Sequence, residues 1–367
     1  MKIIYFSLDY SPHDHRFLSA LSETDHEIYY VRLQRGPRQV EDRHVPAKIH
    51  QVLWAGGQGE FRWRDLLRLI FDFRRLTKKI KPDLIHAGPI QTCGLIATLA
   101  GAGPRLIMSW GFDLMQDVDR NGWWRWATKY VLRRADFFTS DCEATRAKAV
   151  DYGMNPDCTV VFPWGVDLNH FAPSSTVRGP SSGFTLFCNR SWEPRYGVDV
   201  LAKAFVVVAR SRSDVDLLLL NGGSQAQAIH QIFERGGVLD RVTFAGQISN
   251  RDLPRYYHMV DLYISPSHVD GSSVSLMEAL ACGLPCLVSD IPANKEWVTE
   301  DVNGWLFPDG DINALAAKIL VAVNARDALP GIGQAARRTA EEKADWKMNF
   351  QKLLETYQKV IAEKDRS

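Results

Sequence analysis

Short, continuously apolar runs recur along the whole chain, and a stretch with helical periodicity separates most of them. In the first half the runs fall at residues 2–7, 27–32, 83–86, 106–109, 137–139 and 159–162. In the second half they fall at 184–188, 215–220, 242–244, 262–264 and 285–288. Unbroken apolar runs suit strands that are buried on both faces, whereas half-exposed strands alternate. Segments 63–80, 125–133, 198–210 and 312–325 carry the helical spacing. Strand–helix alternation predicts α/β architecture, with parallel sheets covered by helices on both sides.

A chain of 367 residues exceeds what a single hydrophobic core usually organises, so two domains are expected. The pattern pauses at PSSTVRGPSSG, residues 173–183, a Pro/Ser/Gly-rich linker candidate. The expected domains are therefore 1–172 and 183–345, each Rossmann-like and doubly wound. The last helix, within 346–367, is free to pack back on the first domain. Open α/β sheets bind ligands beyond the carboxyl ends of their strands. Two such domains facing each other across a cleft would hold one reactant on each side.

Bulk properties narrow the class. The chain is 46% hydrophobic and 24% charged, in the range of soluble globular proteins. A formal net charge of +1 gives no reason to expect a nucleic-acid partner. The cysteines Cys93, Cys142, Cys158, Cys188, Cys282 and Cys286 show no CxxC spacing, which argues against a zinc site or a disulfide framework and suits a reducing compartment. The apolar run after Met1 is too short for a signal-peptide core and reads as a first strand. No apolar stretch reaches the roughly 18 residues that a membrane span needs. A cytoplasmic protein is expected.

The most informative segment is SPSHVDGSSVSLMEALACGLPCLVSD, residues 265–290. A strand ends near Ser265, a polar loop contains Gly271, and a helix follows from about Val274 to Ala281. Backbone N–H groups of Ser272, Ser273, Val274 and Ser275 are then aimed at the cleft. With the positive end of the helix dipole they form an anion site suited to phosphate. Asp270 and Glu278 bracket the loop and first helical turn, placed to accept hydrogen bonds from sugar and ribose hydroxyls. The same residues also fit a plainer reading, in which Ser275-x-x-Glu278 is a capping box and Asp270-Gly271 an ordinary turn.

A second segment, CNRSWEPRYGVDVLAKAF, spans residues 188–205. Arg190 and Arg195 lie on a loop that follows a strand and contains Gly197. Two guanidinium groups there can clamp a diphosphate and stabilise the charge that builds as a sugar–phosphate bond breaks. As solvated loop charges they would need no such role.

These two segments resemble the donor-binding signature of family 4 of the glycosyltransferases, enzymes with the GT-B fold. The family pattern is E-G-x6-E-A-x-A-x-G-x-P, and here stand Asp270-Gly271, Glu278-Ala279, Ala281, Gly283 and Pro285. The likeness continues in order through PDLIHA at 82–87, SWGFD at 109–113, FPWGVDLNHFAP at 162–173, LLLLNGG at 217–223, VTFAGQI at 242–248 and YYHMVDLYISPS at 256–267. The resemblance implies a retaining, metal-independent hexosyltransferase without cofactor. It would take a UDP- or GDP-sugar and act on a hydroxyl of a glycan or lipid-linked glycan of the cell envelope. Glu278 would grip the ribose, Asp270 would touch the transferred sugar, and Arg190 would bind the diphosphate. Gly222 and Gly223 would let the chain pass close to the nucleotide, while Phe244 and Gly246 would line the base pocket. Asp113 would stand near the reaction centre. A GT-B epimerase and a non-catalytic nucleotide-sugar binding protein are the alternatives.

The sequence departs from the family in three places. Tyr196 stands between Arg195 and Gly197 where the family has a lysine directly before the glycine. Trp110 and Trp164 stand where the family often has histidine and asparagine. Both tryptophans are placed at the ends of first-domain strands, either as flat surfaces for a sugar ring or as packed wall. SPHDHRF, residues 11–17, is expected to be a cleft-floor loop that offers His13, His15 and Arg16 to the phosphates or the acceptor. The triplets Asp117–Asp119 and Asp214–Asp216 lack a third ligand and are expected to be surface rather than metal sites.

Residues 62–81 hold eight Lys/Arg against two Asp, and WWRWATKYVLRR at 123–134 repeats the mixture of Trp and Arg. Helices of this kind can lie on an anionic membrane surface. Segments 61–81 and 123–134 are therefore candidates for peripheral contact with the inner face of a membrane. Each also fits an ordinary helix with its basic side in water.

Overall fold

The computed structural model describes residues 1–36, 43–174 and 183–364. The linker expected at 173–183 lies, apart from its ends, outside the described residues. The chain divides into two compact units, one of Met1–Phe162 with Phe350–Ser367 and one of Pro163–Asn349.

The first unit is built on seven strands: β1 (Lys2–Ser7), β2 (Glu27–Arg32), β3 (His50–Gln51), β4 (Leu84–Gly88), β5 (Arg105–Met108), β6 (Phe137–Ser140) and β7 (Thr159–Val161). They form one sheet in the order β3-β2-β1-β4-β5-β6-β7, and the neighbouring pairs are parallel. Successive residues of β1 serve opposite faces. Ile4 and Phe6 join a core with Leu69, Phe73, Ile107 and Val131. Tyr5 instead meets Phe17 of helix Pro12–Ser22 and His86 of β4. That face is closed by the last helix, Trp346–Lys364, whose Tyr357 hydroxyl lies 2.7 Å from His86 Nδ1. Unbroken apolar strands are the chemical result of covering both faces.

The second unit has six strands: β8 (Phe184–Cys188), β9 (Val215–Leu220), β10 (Val242–Gly246), β11 (Leu262–Ser265), β12 (Cys286–Ser289) and β13 (Gly304–Phe307). Their order is β10-β9-β8-β11-β12-β13, again with parallel pairs. The leucine run of β9 divides cleanly: Leu217 and Leu219 enter a core with Phe205 and Phe233. Leu218 and Leu220 enter one on the other face with Tyr263 and Leu276. Among the described residues, no helix is long and apolar enough to cross a membrane.

Candidate active site

In the second unit the chain leaves β8 in one direction along the sheet, through β9 and β10, and returns to β11 to run the other way. β8 and β11 thus flank the topological switch point of the sheet, the usual ligand position in an open parallel sheet. Arg190 follows β8, and Asp270 and helix Val274–Ala281 follow β11. Arg190 Nη2 donates to Asp270 Oδ2 at 2.6 Å, while Nη1 donates to Ser273 Oγ at 2.8 Å and Ser275 Oγ at 3.0 Å. The Tyr196 ring packs on the guanidinium, 4.2 Å from its carbon. Arg190 Nε is buried and has no hydrogen-bond partner among the described residues.

The electrostatics of this pair follow from its burial. Side-chain exposure is only 10% for Arg190 and 17% for Asp270. Burial, the largest influence, opposes the arginine charge, but Asp270 together with Tyr263, Tyr196 and Cys188 outweighs it and holds the guanidinium protonated. For Asp270 burial wins: its pKa lies above the ordinary carboxylate value although Arg190, the Gly271 N–H and Ser273 pull it down. A buried ion pair of this kind is weak evidence of stability. Its effect here is to place a fixed cation beside a helix N-terminus.

The helix start differs from the capping box read in the sequence. Ser273 is the N-cap and accepts from the Leu276 N–H, so Ser275 and Glu278 already lie inside the helix. Tandem serines made the register ambiguous. Glu278 is 5% exposed, and the Tyr257 hydroxyl sits 2.9 Å from its Oε2. Asn189 Nδ2 donates to the same hydroxyl at 2.8 Å, which ties the β8 loop to Glu278. Ser272 is buried and accepts from Trp297 Nε1 at 3.2 Å.

The other residues expected at the donor site fall on the same crest with different environments. A side chain at Gly222 would meet open space, whereas one at Gly223 would lie 2.6 Å from the Trp192 carbonyl oxygen. Asn221, with φ of 64°, turns the chain between β9 and the glycine pair. Phe244 stacks on His230 with ring centroids 4.1 Å apart and meets Trp192 at 5.7 Å, so its ring is part of the wall; Gly246 ends β10. Arg195 sits in the turn Pro194–Tyr196, and its carbonyl accepts from the His268 N–H at 2.9 Å. Gly197 follows at φ 59°, where a Cβ would lie 2.1 Å from the Pro266 carbonyl oxygen. The β8 and β11 loops are thus fastened at Gly197 as well as at Arg190. Trp164, three residues past β7, is 6% exposed, as the packed-wall reading has it, and it falls in the second unit rather than the first.

The first unit has its own switch point, between β1 and β4. The expected loop at 11–17 is already helix from Pro12, because Ser11 and Asp14 form a reciprocal capping box. His13, His15 and Arg16 accordingly ride on the first helical turns. His13 meets Trp110 edge-on at 6.1 Å, and a Cβ at Gly88 would lie 2.9 Å from Trp110 Nε1. His15 Nδ1 lies 2.8 Å from the Tyr10 hydroxyl, on a different contact from His13. Asp113 is fully buried, and accepts from Ser109 Oγ at 2.5 Å and from the N–H groups of Ile90, Trp110 and Leu114 at 3.0–3.1 Å. It fixes the Trp110 loop. Asp14, which the sequence reading missed, is equally buried and accepts from Ser11 and the Tyr5 hydroxyl. Its signal was the Ser-Pro-x-Asp helix start. Burial pushes both carboxyls up to about 6 against these hydrogen bonds.

The Asp-x-Asp triplets meet basic side chains. Asp119 pairs with Lys148 at 3.0 Å and Asp117 with Arg120 at 3.6 Å. Asp214 pairs with Arg212 at 2.8 Å and Asp216 with Arg241 at 3.7 Å.

Comparison with known proteins matches both units. The family model described as Glycosyl transferase 4-like domain covers residues 12–165, and that described as Glycosyl transferases group 1 covers residues 180–339. A phosphatidyl-myo-inositol mannosyltransferase of Mycobacterium leprae is 32% identical over 205 residues, 55% of this chain but only 54% of the relative, about half its length. A GDP-mannose-dependent alpha-(1-6)-phosphatidylinositol monomannoside mannosyltransferase of Mycolicibacterium smegmatis is 25% identical over 289 residues, 73% of this chain and 74% of the relative. Among solved structures, a sucrose-phosphate synthase from Thermosynechococcus elongatus aligns with a TM-score of 0.84 at 18% identity, over 99% of this chain and all of that one. Anabaena HepE in complex with UDP and glucose aligns with a TM-score of 0.80 at 19% identity, over 97% and 99% of the two chains. The structural likeness bears on the fold and the family models on descent; taken together, the chain belongs to the family 4 glycosyltransferases and has their GT-B fold.

Proposed function

We propose that the chain transfers a hexosyl unit, mannose from GDP-mannose in the first instance, to a hydroxyl of a lipid-linked glycan of the cell envelope. Retention of anomeric configuration and independence of metal are part of this reading. The observation that carries it is the cation of Arg190, held at the switch point beside the N-terminus of helix Val274–Ala281. The activities named for the mycobacterial relatives favour GDP-mannose and a phosphatidylinositol-type acceptor.

In this reading Arg190 binds the donor diphosphate, with Arg195 and the N–H groups of Ser272–Ser275 beside it. As the sugar–phosphate bond breaks, these donors and the helix dipole stabilise the charge left on the diphosphate. They act without reorganising, since Arg190 is already fixed by three side chains. Glu278 accepts from the ribose, Asp270 from the sugar, and open space at Gly222 admits the nucleotide. His13, Arg16 and Trp110 would serve the acceptor side. The reaction would take place at the cytoplasmic face of a membrane.

Two measurements test this together. Thermal shift against GDP-mannose, UDP-glucose and ADP-glucose should single out one donor, because ligand at about 100 times Kd stabilises by about 2.7 kcal/mol. Transfer of labelled sugar from that donor to phosphatidylinositol-type lipid should then be detectable. If no nucleotide sugar shifts the melting temperature and no label moves, the proposal is wrong.

A further inference from the structure

The first unit carries a surface feature that sugar transfer itself does not use. Arg125, Trp126, Lys129, Tyr130, Arg133 and Arg134 line a cavity of about 470 Å³ along helix Gly122–Leu132 and the residues just after it. Trp126, Lys129, Tyr130 and Arg133 recur at three- and four-residue steps, so they share one helical face. No carboxylate lines the cavity; nearby, Asp119 reaches Arg125 at 3.8 Å. The cations and rings are arranged together: Arg134 lies 4.1 Å over the Tyr130 ring, and Trp126 stacks on Tyr130 at 5.2 Å.

The surroundings are apolar as well as basic. Trp123 and Trp126 are 40% and 49% exposed. Trp123 touches Trp63 at 5.5 Å, which leads to helix Leu66–Ile80. On that helix Leu67 and Phe71, one turn apart, are 70% and 69% exposed among the exposed arginines Arg64, Arg68, Arg74 and Arg75. A polynucleotide would engage the arginines but leave Leu67 and Phe71 in water. A bilayer interface takes both, since aliphatic groups enter the acyl boundary, indoles sit at headgroup level and cations meet lipid phosphates.

We propose that this face is an anionic-membrane docking surface, and that the cavity on helix Gly122–Leu132 seats the phosphate of a lipid headgroup. The inference extends the lipid-acceptor reading above, yet its test needs neither donor nor acceptor. The full chain is floated with vesicles of phosphatidylcholine alone and of phosphatidylcholine with phosphatidylglycerol. Binding is expected only to the anionic vesicles, falling as salt rises. Arg125→Gln/Lys129→Gln/Arg133→Gln should weaken it by roughly fivefold per cation removed, and Trp126→Ala should weaken it at unchanged salt dependence. Circular dichroism melting verifies folding, with single Lys129→Gln as the milder variant. Absence of vesicle binding, equal binding by the triple variant, or tighter binding to single-stranded RNA than to vesicles overturns the proposal.

Discussion

Arg190 and Asp270, eighty residues apart in sequence, meet at 2.6 Å between the loops that follow the paired strands β8 and β11. Both are largely removed from water, so neither charge is readily screened or replaced. Removing one partner of a buried pair strands the other, whereas replacing both by apolar residues of similar volume is often nearly neutral. Arg190→Ala should therefore destabilise the second unit by about 3–5 kcal/mol, and the volume-conserving apolar pair Arg190→Met/Asp270→Val should avoid much of that loss. Donor binding should fail in both. Denaturant unfolding and titration calorimetry separate the two effects. Donor affinity retained in the double variant would remove Arg190 from the diphosphate site.

The paired glycines after β9 should respond in opposite ways. A methyl at Gly222 meets nothing within 4 Å, while one at Gly223 runs into the Trp192 carbonyl at 2.6 Å. Gly222→Ala should fold with stability within about 0.5 kcal/mol of the parent and lose donor affinity, because the methyl occupies the approach assigned to the nucleotide. Gly223→Ala should lose stability first, since the Trp192 backbone cannot yield cheaply. Melting curves with and without nucleotide distinguish these outcomes; unchanged donor affinity in Gly222→Ala would place the nucleotide elsewhere.

Much of this was readable because burial on both faces leaves a plain mark. β1, β2, β8 and β9 begin and end where their apolar runs do. The two strands missed lack that mark: β3 is a two-residue edge strand, and β13 opens on Gly304. The opening turns of the first helix read as a loop because Pro12–Arg16 is polar, although Ser11 and Asp14 announce a cap and proline is favoured at a helix start. At the site, residue type and strand-end position were enough to nominate Arg190, Asp270 and Glu278. The Asn189–Tyr257–Glu278 chain was not legible, because it joins three separate loops and helices through side-chain hydroxyl geometry that no local pattern encodes.

That chain makes a graded prediction. Tyr257 is fully buried, and its hydroxyl, pushed well above the usual phenol range by burial, then by the Glu278 charge, stays protonated and available to Glu278. If Glu278 holds the ribose, Glu278→Ala removes a hydrogen bond to a charged group, about 1.5–3 kcal/mol or roughly 10- to 150-fold in kcat/KM. Tyr257→Phe keeps the carboxylate but frees its orientation, so it should raise KM with little change in kcat. Steady-state kinetics with varied donor reads both. A Tyr257→Phe enzyme with normal KM would mean that the hydroxyl serves the Asn189 amide and the Ser275 carbonyl rather than the orientation of Glu278.

Asp113 gives a pH prediction whose sign is opposite to that of a surface salt bridge. Burial raises its carboxyl from the usual 3.8 to about 6, against the bonds from Ser109, Ile90, Trp110 and Leu114. The neutral form is therefore favoured by folding. The stability it contributes is full below pH 3.8 and is lost as pH rises through about 6. The difference corresponds to about 3 kcal/mol. Asp113→Asn cannot ionise, and its amide would face the Ile90 N–H that now donates to Oδ2. The variant should accordingly be less stable than the parent at pH 4, by about 1–3 kcal/mol. The gap should then close, or reverse, by pH 7, because only the parent must ionise a buried acid. Hydrogen exchange at β1 and β4 amides, corrected for intrinsic rates, reads the first unit alone. A gap that widens with pH would mean that the four hydrogen bonds outweigh burial and that Asp113 is ionised well below its assigned range.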